Sequence, residues 1–205
     1  VANRTAIRRR LEKAKALGMN ALRMSHYPHA ADWYEICDEM GILVMDELTD
    51  AWSLAKLEND YHLLFPKWHE RDLRTLIRRH RNHPSIVIWS LGNEIWESRS
   101  GKANWPLFQT NGLELARIAR QEDPTRPTTT ANDNDEVWRS PLAQFSDVYG
   151  FNYRPEHYGA YRALWPTKPV VGTETMCVQT SRGAYSFDFV GKKDGRWGLP
   201  PPGRT

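Results

Sequence analysis

The chain has 205 residues, 40% apolar and 26% charged with 9 Trp, enough to bury a sizeable core, which excludes a disordered or low-complexity chain. Lys plus Arg number 28 against 25 Asp plus Glu, and basic residues fall mostly on helix faces such as Arg8-Arg9-Arg10, so a dedicated nucleic-acid binder is excluded. No run approaches the roughly 18 apolar residues of a membrane helix, and Val1-Ala2-Asn3-Arg4 lacks a signal-peptide pattern; cytoplasm and periplasm both stay open.

From Ala6 to Leu17 the apolar positions Ile7, Leu11 and Ala14 predict an amphipathic helix stopped at Gly18. Met19 to His26 then reads as a strand, because it is too short for a second helix and Pro28 follows. Trp33, Ile36, Cys37 and Met40 give the next helix, ended by Gly41, and Ile42-Leu43-Val44-Met45 is a run suited to a strand buried on both faces. A helix over Pro66 to His80, with Leu73, Leu76 and Ile77 inward, precedes the strand Ile86 to Leu91. A fourth helix near Asn111 to Gln121 leads to the strand Thr128 to Ala131. The strand Val148 to Phe151, a helix around Glu156 to Trp165 and the strand Pro169 to Gly172 complete the series. Alternation of helix and strand predicts a parallel α/β sheet of six strands.

Polar residues recur where each strand ends: His26, Asp46-Glu47, Asn93-Glu94, Asn132-Asp133, Asn152-Tyr153 and Glu174. Such clustering suits an α/β-barrel mouth or the crevice of an open doubly wound sheet, but no phosphate-binding glycine motif follows any strand. Cys37 and Cys177 signal neither a disulfide framework nor a zinc site. Glu94 and Glu174 each follow an apolar strand, and two carboxyl groups facing across a cleft can cleave a glycosidic bond, one protonating the leaving oxygen and one attacking the anomeric carbon. Position alone is weak evidence, since a single Glu at a strand end is more often a surface or capping residue.

The surrounding residues sharpen this reading. Asn20 to Pro28, Gly41 to Glu47 and His83-Pro84 through Ser90-Leu91-Gly92-Asn93-Glu94 closely resemble the barrel domain of glycoside hydrolase family 2, in its β-galactosidase and β-glucuronidase branches. Asp147 to Tyr153 and Lys168 to Thr175 resemble its sixth and seventh strands. The resemblance implies a (β/α)8 TIM barrel and a retaining hydrolysis of terminal β-D-galactosides, with Glu94 as acid/base and Glu174 as nucleophile. It further implies Asn93 on the sugar 2-hydroxyl, Tyr153 on the nucleophile, and His26 in the sugar pocket. Arg23 either holds Glu174 ionised or is a structural ion pair. Of Asp46 and Glu47, Asp46 is favoured slightly for the pocket, with Glu47 supporting Arg23. Trp52 reads equally as a sugar-stacking aromatic and as a core residue under its loop.

Ala51 and Ser53 stand where the best-known β-galactosidases carry magnesium ligands, so no catalytic metal and no cofactor are expected. The stretch Asp50 to His62 resembles instead a branch common in polysaccharide-degrading bacteria and holding several sugar specificities. A β-glucuronidase is the nearest rival. Ser90 to Glu94 lacks the double asparagine of the β-mannosidase branch, and a metal hydrolase using His26, His29, Asp46 and Glu47 is disfavoured by the intervening proline.

Eight strands are needed to close a barrel, typically in about 250 residues. The sequence predicts strands two to seven only, with residues 1–185 a partial barrel and 186–205 a Gly/Pro-rich loop or cut end. A segment so truncated is expected to be inactive or weakly active, surviving at most as a carbohydrate-binding fragment. Its exposed edges are expected to favour aggregation or homo-oligomerisation. The expected partner is carbohydrate, with neither nucleic acid nor membrane.

Overall fold

In a computed structural model, residues 3–175 are described. Expectations for Cys177 and for residues 176–205, including the 186–205 loop, lie outside the described residues.

Six α-helices and six strands follow one another along these residues, alternating except where α5 follows α4 and β5 follows β4. Helix α1 (Arg4–Ala16) is capped by Asn3, whose side chain accepts from the Ala6 N–H at 3.1 Å, and it buries Ile7 and Leu11. Strand β1 (Ala21–Met24) follows, then α2 (Ala31–Met40), which ends at Gly41. There φ is 66°, a left-handed conformation that costs glycine little. Next come β2 (Leu43–Glu47), α3 (Phe65–His80) and β3 (Ile86–Asn93). The short α4 (Trp96–Arg99), then α5 (Trp105–Glu122), β4 (Thr128–Asn132), β5 (Val148–Asn152), α6 (Tyr158–Leu164) and β6 (Val170–Glu174) complete the order.

All six strands are parallel and lie in chain order, β1 through β6. That is the arrangement of six successive staves of a (β/α)8 barrel, and it brings every strand's carboxyl end to one rim. β1 and β6 are the end strands among the described residues, and both are less buried than the four between them.

The expected elements all form, with three differences. β3 runs two residues past its apolar stretch, because its register against β4 shifts between Ser90 and Asn93 and the Glu94 N–H bonds Ala131 O at 2.8 Å. α5 starts at Trp105 rather than Asn111, since Pro106 is tolerated in a first helical turn and Phe108 anchors that turn in the core. α4 has only four residues, too few to show a period.

The core between sheet and helices is aromatic. Trp52 stacks on Phe108 with ring centroids 5.4 Å apart, and Tyr149, Phe151 and Tyr161 cluster at the other end. A Cβ at Gly92 would lie 2.9 Å from the Trp52 indole nitrogen, so this glycine lets the Trp52 loop close over the end of β3, next to Glu94.

Candidate active site

The rim is organised around Arg23, near the end of β1 and only 10% exposed. Its Nε and Nη2 donate to the two oxygens of Glu47 at 2.9 and 3.0 Å, and Glu47, the last residue of β2, is wholly buried. Its Nη1 donates to Glu174 Oε1 at 2.7 Å, and Nη2 also reaches Asn93 Oδ1 at 2.7 Å. One guanidinium thus ties together the ends of β1, β2, β3 and β6. The planar fork of donors makes arginine suited to this, where lysine offers a single point charge. Glu47 also accepts from Ser90 Oγ at 2.6 Å and pairs with His26 Nδ1 at 2.8 Å. His26 follows Ser25 across a cis peptide bond, and its Nε2 lies 3.9 Å from Glu174 Oε1.

Glu174 accepts from the Tyr153 hydroxyl on its other oxygen. Burial pushes its carboxyl up, but the hydrogen bonds from Tyr153 and Arg23 and the positive charge beside it outweigh burial and hold it below the ordinary glutamate value. His26 is shifted upward, chiefly by its hydrogen bond to Glu47 and despite partial burial.

Glu94 stands on the far side of Asn93. Asn152, the last residue of β5, donates from Nδ2 to Glu94 Oε1 at 2.9 Å and to Asn93 Oδ1 at 3.0 Å, and its own Oδ1 accepts from Thr173 Oγ1. Arg99 of α4 donates to Glu94 Oε2 at 3.0 Å and lies 3.2 Å from Asp133 Oδ2. Lys56 Nζ caps the Asn93 carbonyl at 2.8 Å and lies 3.6 Å from Asp50. Glu94 and Tyr153 both have positive φ, 46° and 56°. This region is costly for residues with a side chain, and such outliers gather at functional sites.

The structure therefore brings Arg23, His26, Glu47, Asn93, Glu94, Tyr153 and Glu174 into one hydrogen-bonded array. Two expected site residues are not part of it. Asp46 is fully buried on the helix side of β2, where it accepts from Tyr34 Oη at 2.7 Å and pairs with His80 Nδ1 at 2.8 Å. Strand alternation sends adjacent side chains to opposite faces, so Glu47 and not Asp46 faces the mouth. Trp52 is 0% exposed, bonded through Nε1 to Leu91 O at 3.1 Å, and belongs to the aromatic core; no surface is left for a sugar. The rival metal set also separates, with His26 on Glu47, Asp46 on His80, and His29 Nδ1 on the Tyr27 carbonyl.

Residues given no role from the sequence are Asn152, Ser90, Lys56, Arg99 and Asp133. Asn152 and Asp133 carried a signal as polar residues ending strands. Arg99 lies five residues past Glu94, a spacing that marks nothing until α4 is known.

The sequence profile of "Glycosyl hydrolases family 2, TIM barrel domain" matches residues 2–187. A β-galactosidase of Bacteroides ovatus, BoGH2A, is 35% identical over 89% of this chain and 25% of its own length. A β-glucuronidase of Bacteroides fragilis is 35% identical over 59% of this chain and 17% of its own. Among solved structures, a glycosyl hydrolase family 2 member from Bacteroides cellulosilyticus superposes with a TM-score of 0.76 at 32% identity, covering 85% of this chain and 22% of that one. Bacteroides uniformis β-glucuronidase 2, solved covalently bound to cyclophellitol-6-carboxylate aziridine, gives a TM-score of 0.70 at 26% identity over 82% of this chain and 22% of that one. The chain thus spans about a quarter or less of the length of these relatives.

Proposed function

Since the chain belongs to glycosyl hydrolase family 2, through its TIM barrel domain, we propose that the protein is a retaining β-glycosidase acting on terminal β-D-galactosides. The observation that carries the retaining-glycosidase reading is a pair of carboxylates, Glu94 and Glu174, held by hydrogen bonds on one rim with Asn93 between them. Glu174 is clamped by Tyr153 and Arg23 and kept ionised, as a nucleophile requires, while Glu94 stands beyond Asn93 on the neighbouring part of the rim. In the first step Glu174 attacks the anomeric carbon as Glu94 passes its proton to the departing glycosidic oxygen. In the second, Glu94 takes a proton from water, and that water displaces Glu174 with net retention.

The frame around them has its own part. Among the described residues both bonds to the Asn93 side chain fall on Oδ1, leaving the amide as donor for the sugar 2-hydroxyl, a contact that strengthens at the transition state. Arg23 offsets the negative charge of Glu174 before attack and that of Glu47 throughout. His26, a third exposed and held by Glu47, is placed to meet a sugar hydroxyl.

A 2-fluoro-β-galactoside with an activated leaving group should form a stable adduct on Glu174. Peptide mapping would show the label there, and Glu174→Gln should abolish it; an adduct on another residue would refute the assignment. Galactoside preference is favoured by the relative with 89% coverage of this chain. β-Glucuronidase is the second reading, favoured by the B. fragilis relative. A panel of aryl β-glycosides on the full-length protein ranks the two by kcat/KM.

A further inference from the structure

Asp133, just after β4, is joined to no substrate-facing role by the reading above. Its Oδ2 lies 3.2 Å from Arg99 Nη2, and the same guanidinium donates to Glu94 Oε2 at 3.0 Å. Its Oδ1 is buried and has no hydrogen-bond partner among the described residues. A buried carboxylate oxygen without a donor is costly and is seldom retained without use. Arg99 also lies over the ring of Trp96, 5.8 Å from its centroid.

We propose that Asp133 is a positioning residue for the acid/base step: by sharing Arg99 with Glu94, it keeps the guanidinium from acting as a full counter-charge on Glu94. The inference rests on the acid/base reading of Glu94. An arginine paired with one carboxylate alone favours its ionised form, which would strip the general acid of its proton. With Asp133 on the other side, the three groups carry a net single negative charge, and a proton can reside on the cluster.

Other charged groups face this cluster from each neighbouring element. Lys56, from the segment after β2, binds the Asn93 carbonyl and Asp50. Arg154, after β5, is engaged by Asp135, and its charge reaches Asp133. On the other side of Asn93, Arg23 is shared between Glu174 and Glu47, with His26 beside both carboxylates. Asp133 itself is shifted upward, first by burial and then by the charge of Glu94, against the pull of Arg99 and Arg154.

The test compares kcat/KM against pH for a phenyl glycoside, which needs a general acid, and a 2,4-dinitrophenyl glycoside, which does not. Asp133→Asn should move the alkaline limb for the phenyl substrate down by about 0.5 to 1 pH unit, and Arg99→Gln should move it up by a similar amount. Glycosylation rates with the dinitrophenyl substrate should stay within about twofold. Opposite movements of one limb are not produced by structural damage. Limbs that stay still, or that move the same way, overturn the inference.

Glu94→Ala separates the underlying reading. It should lose the phenyl substrate selectively and be rescued on the dinitrophenyl substrate by azide. Failure there removes the acid/base assignment and this inference with it, whereas success there with unmoved limbs removes the inference alone. Should Asp133→Asn not fold, the Asp133 carboxyl carbon can be titrated by 13C NMR in the unaltered protein and in Glu94→Gln. The midpoint should fall in Glu94→Gln, and an unchanged midpoint overturns the coupling.

Discussion

Replacing Tyr153 by Phe tests the nucleophile assignment with the smallest perturbation, one hydroxyl. The ring and its backbone, with φ of 56°, are retained, and Glu174 keeps the Arg23 contact at 2.7 Å on its other oxygen. What is lost is one of the donors that hold Glu174 below its ordinary value against the upward push of burial. A hydrogen bond to a charged group contributes about 1.5 to 3 kcal/mol, and one pH unit corresponds to about 1.4 kcal/mol. Glu174 is 21% exposed, so water replaces part of the lost bond, and the lower end of that range applies. The acid limb of kcat/KM should therefore rise by about one pH unit. The sign follows from the role: the nucleophile works ionised, so a higher proton affinity removes the active form at higher pH. A pH profile with a dinitrophenyl glycoside reads this limb without the general acid interfering. An acid limb that does not move in Tyr153→Phe would mean that Glu174 is not the group it reports.

Three further outcomes are expected. Arg23→Leu leaves Glu47, wholly buried, with only Ser90 and His26 as partners among the described residues; it should cost about 3 to 5 kcal/mol in urea unfolding, and a loss below about 1 kcal/mol would contradict the hub. Trp52→Ala should destabilise by about 3 to 5 kcal/mol, because a fully buried aromatic is removed; loss of sugar affinity at unchanged stability would restore Trp52 to the pocket. Asp123 is lowered to about 2, where Thr125, Arg126 and Trp89 overcome the upward push of burial. A depressed carboxyl stabilises the fold above its unfolded value and loses that contribution as pH falls through the folded one. Asp123→Asn should therefore flatten the fall in stability between about pH 4 and pH 2, by about 2 kcal/mol.

Much of this architecture was legible because its signals are local. Ile86 to Leu91 is a largely apolar run closed by Gly92, so a strand there needs no tertiary information; only its extension to Asn93 depends on pairing with β4. The inward residues Ile7, Leu11, Leu73, Leu76 and Ile77 are fixed by helical period, and the structure buries all five. What escaped was decided by contacts between segments distant in sequence. Trp52 sits in a loop without period, and its burial depends on Phe108 and Phe145, more than 50 residues away. Arg99 and Asp133 meet only because α4 and the segment after β4 converge on Glu94.

Three adjacent pairs at strand ends show how backbone conformation decides which side chains reach the mouth. Asp46 and Glu47 both lie within β2, where strict alternation applies, and only Glu47 faces Arg23 while Asp46 turns to Tyr34 and His80. The continuous apolar run before them carries no phase, so sequence cannot choose between the two. Asn93-Glu94 and Asn152-Tyr153 behave differently, since the second member of each has left its strand with positive φ. Both members then reach the same array: Asn93 to Arg23 and Glu94 to Asn152, Asn152 to Glu94 and Tyr153 to Glu174. A left-handed residue with a side chain costs on the order of 1 to 3 kcal/mol. Glycine would relieve that cost at either position, but it would delete the group that the turn exists to deliver. The strain is thus located at the two residues whose side chains contact the proposed acid/base frame and the proposed nucleophile.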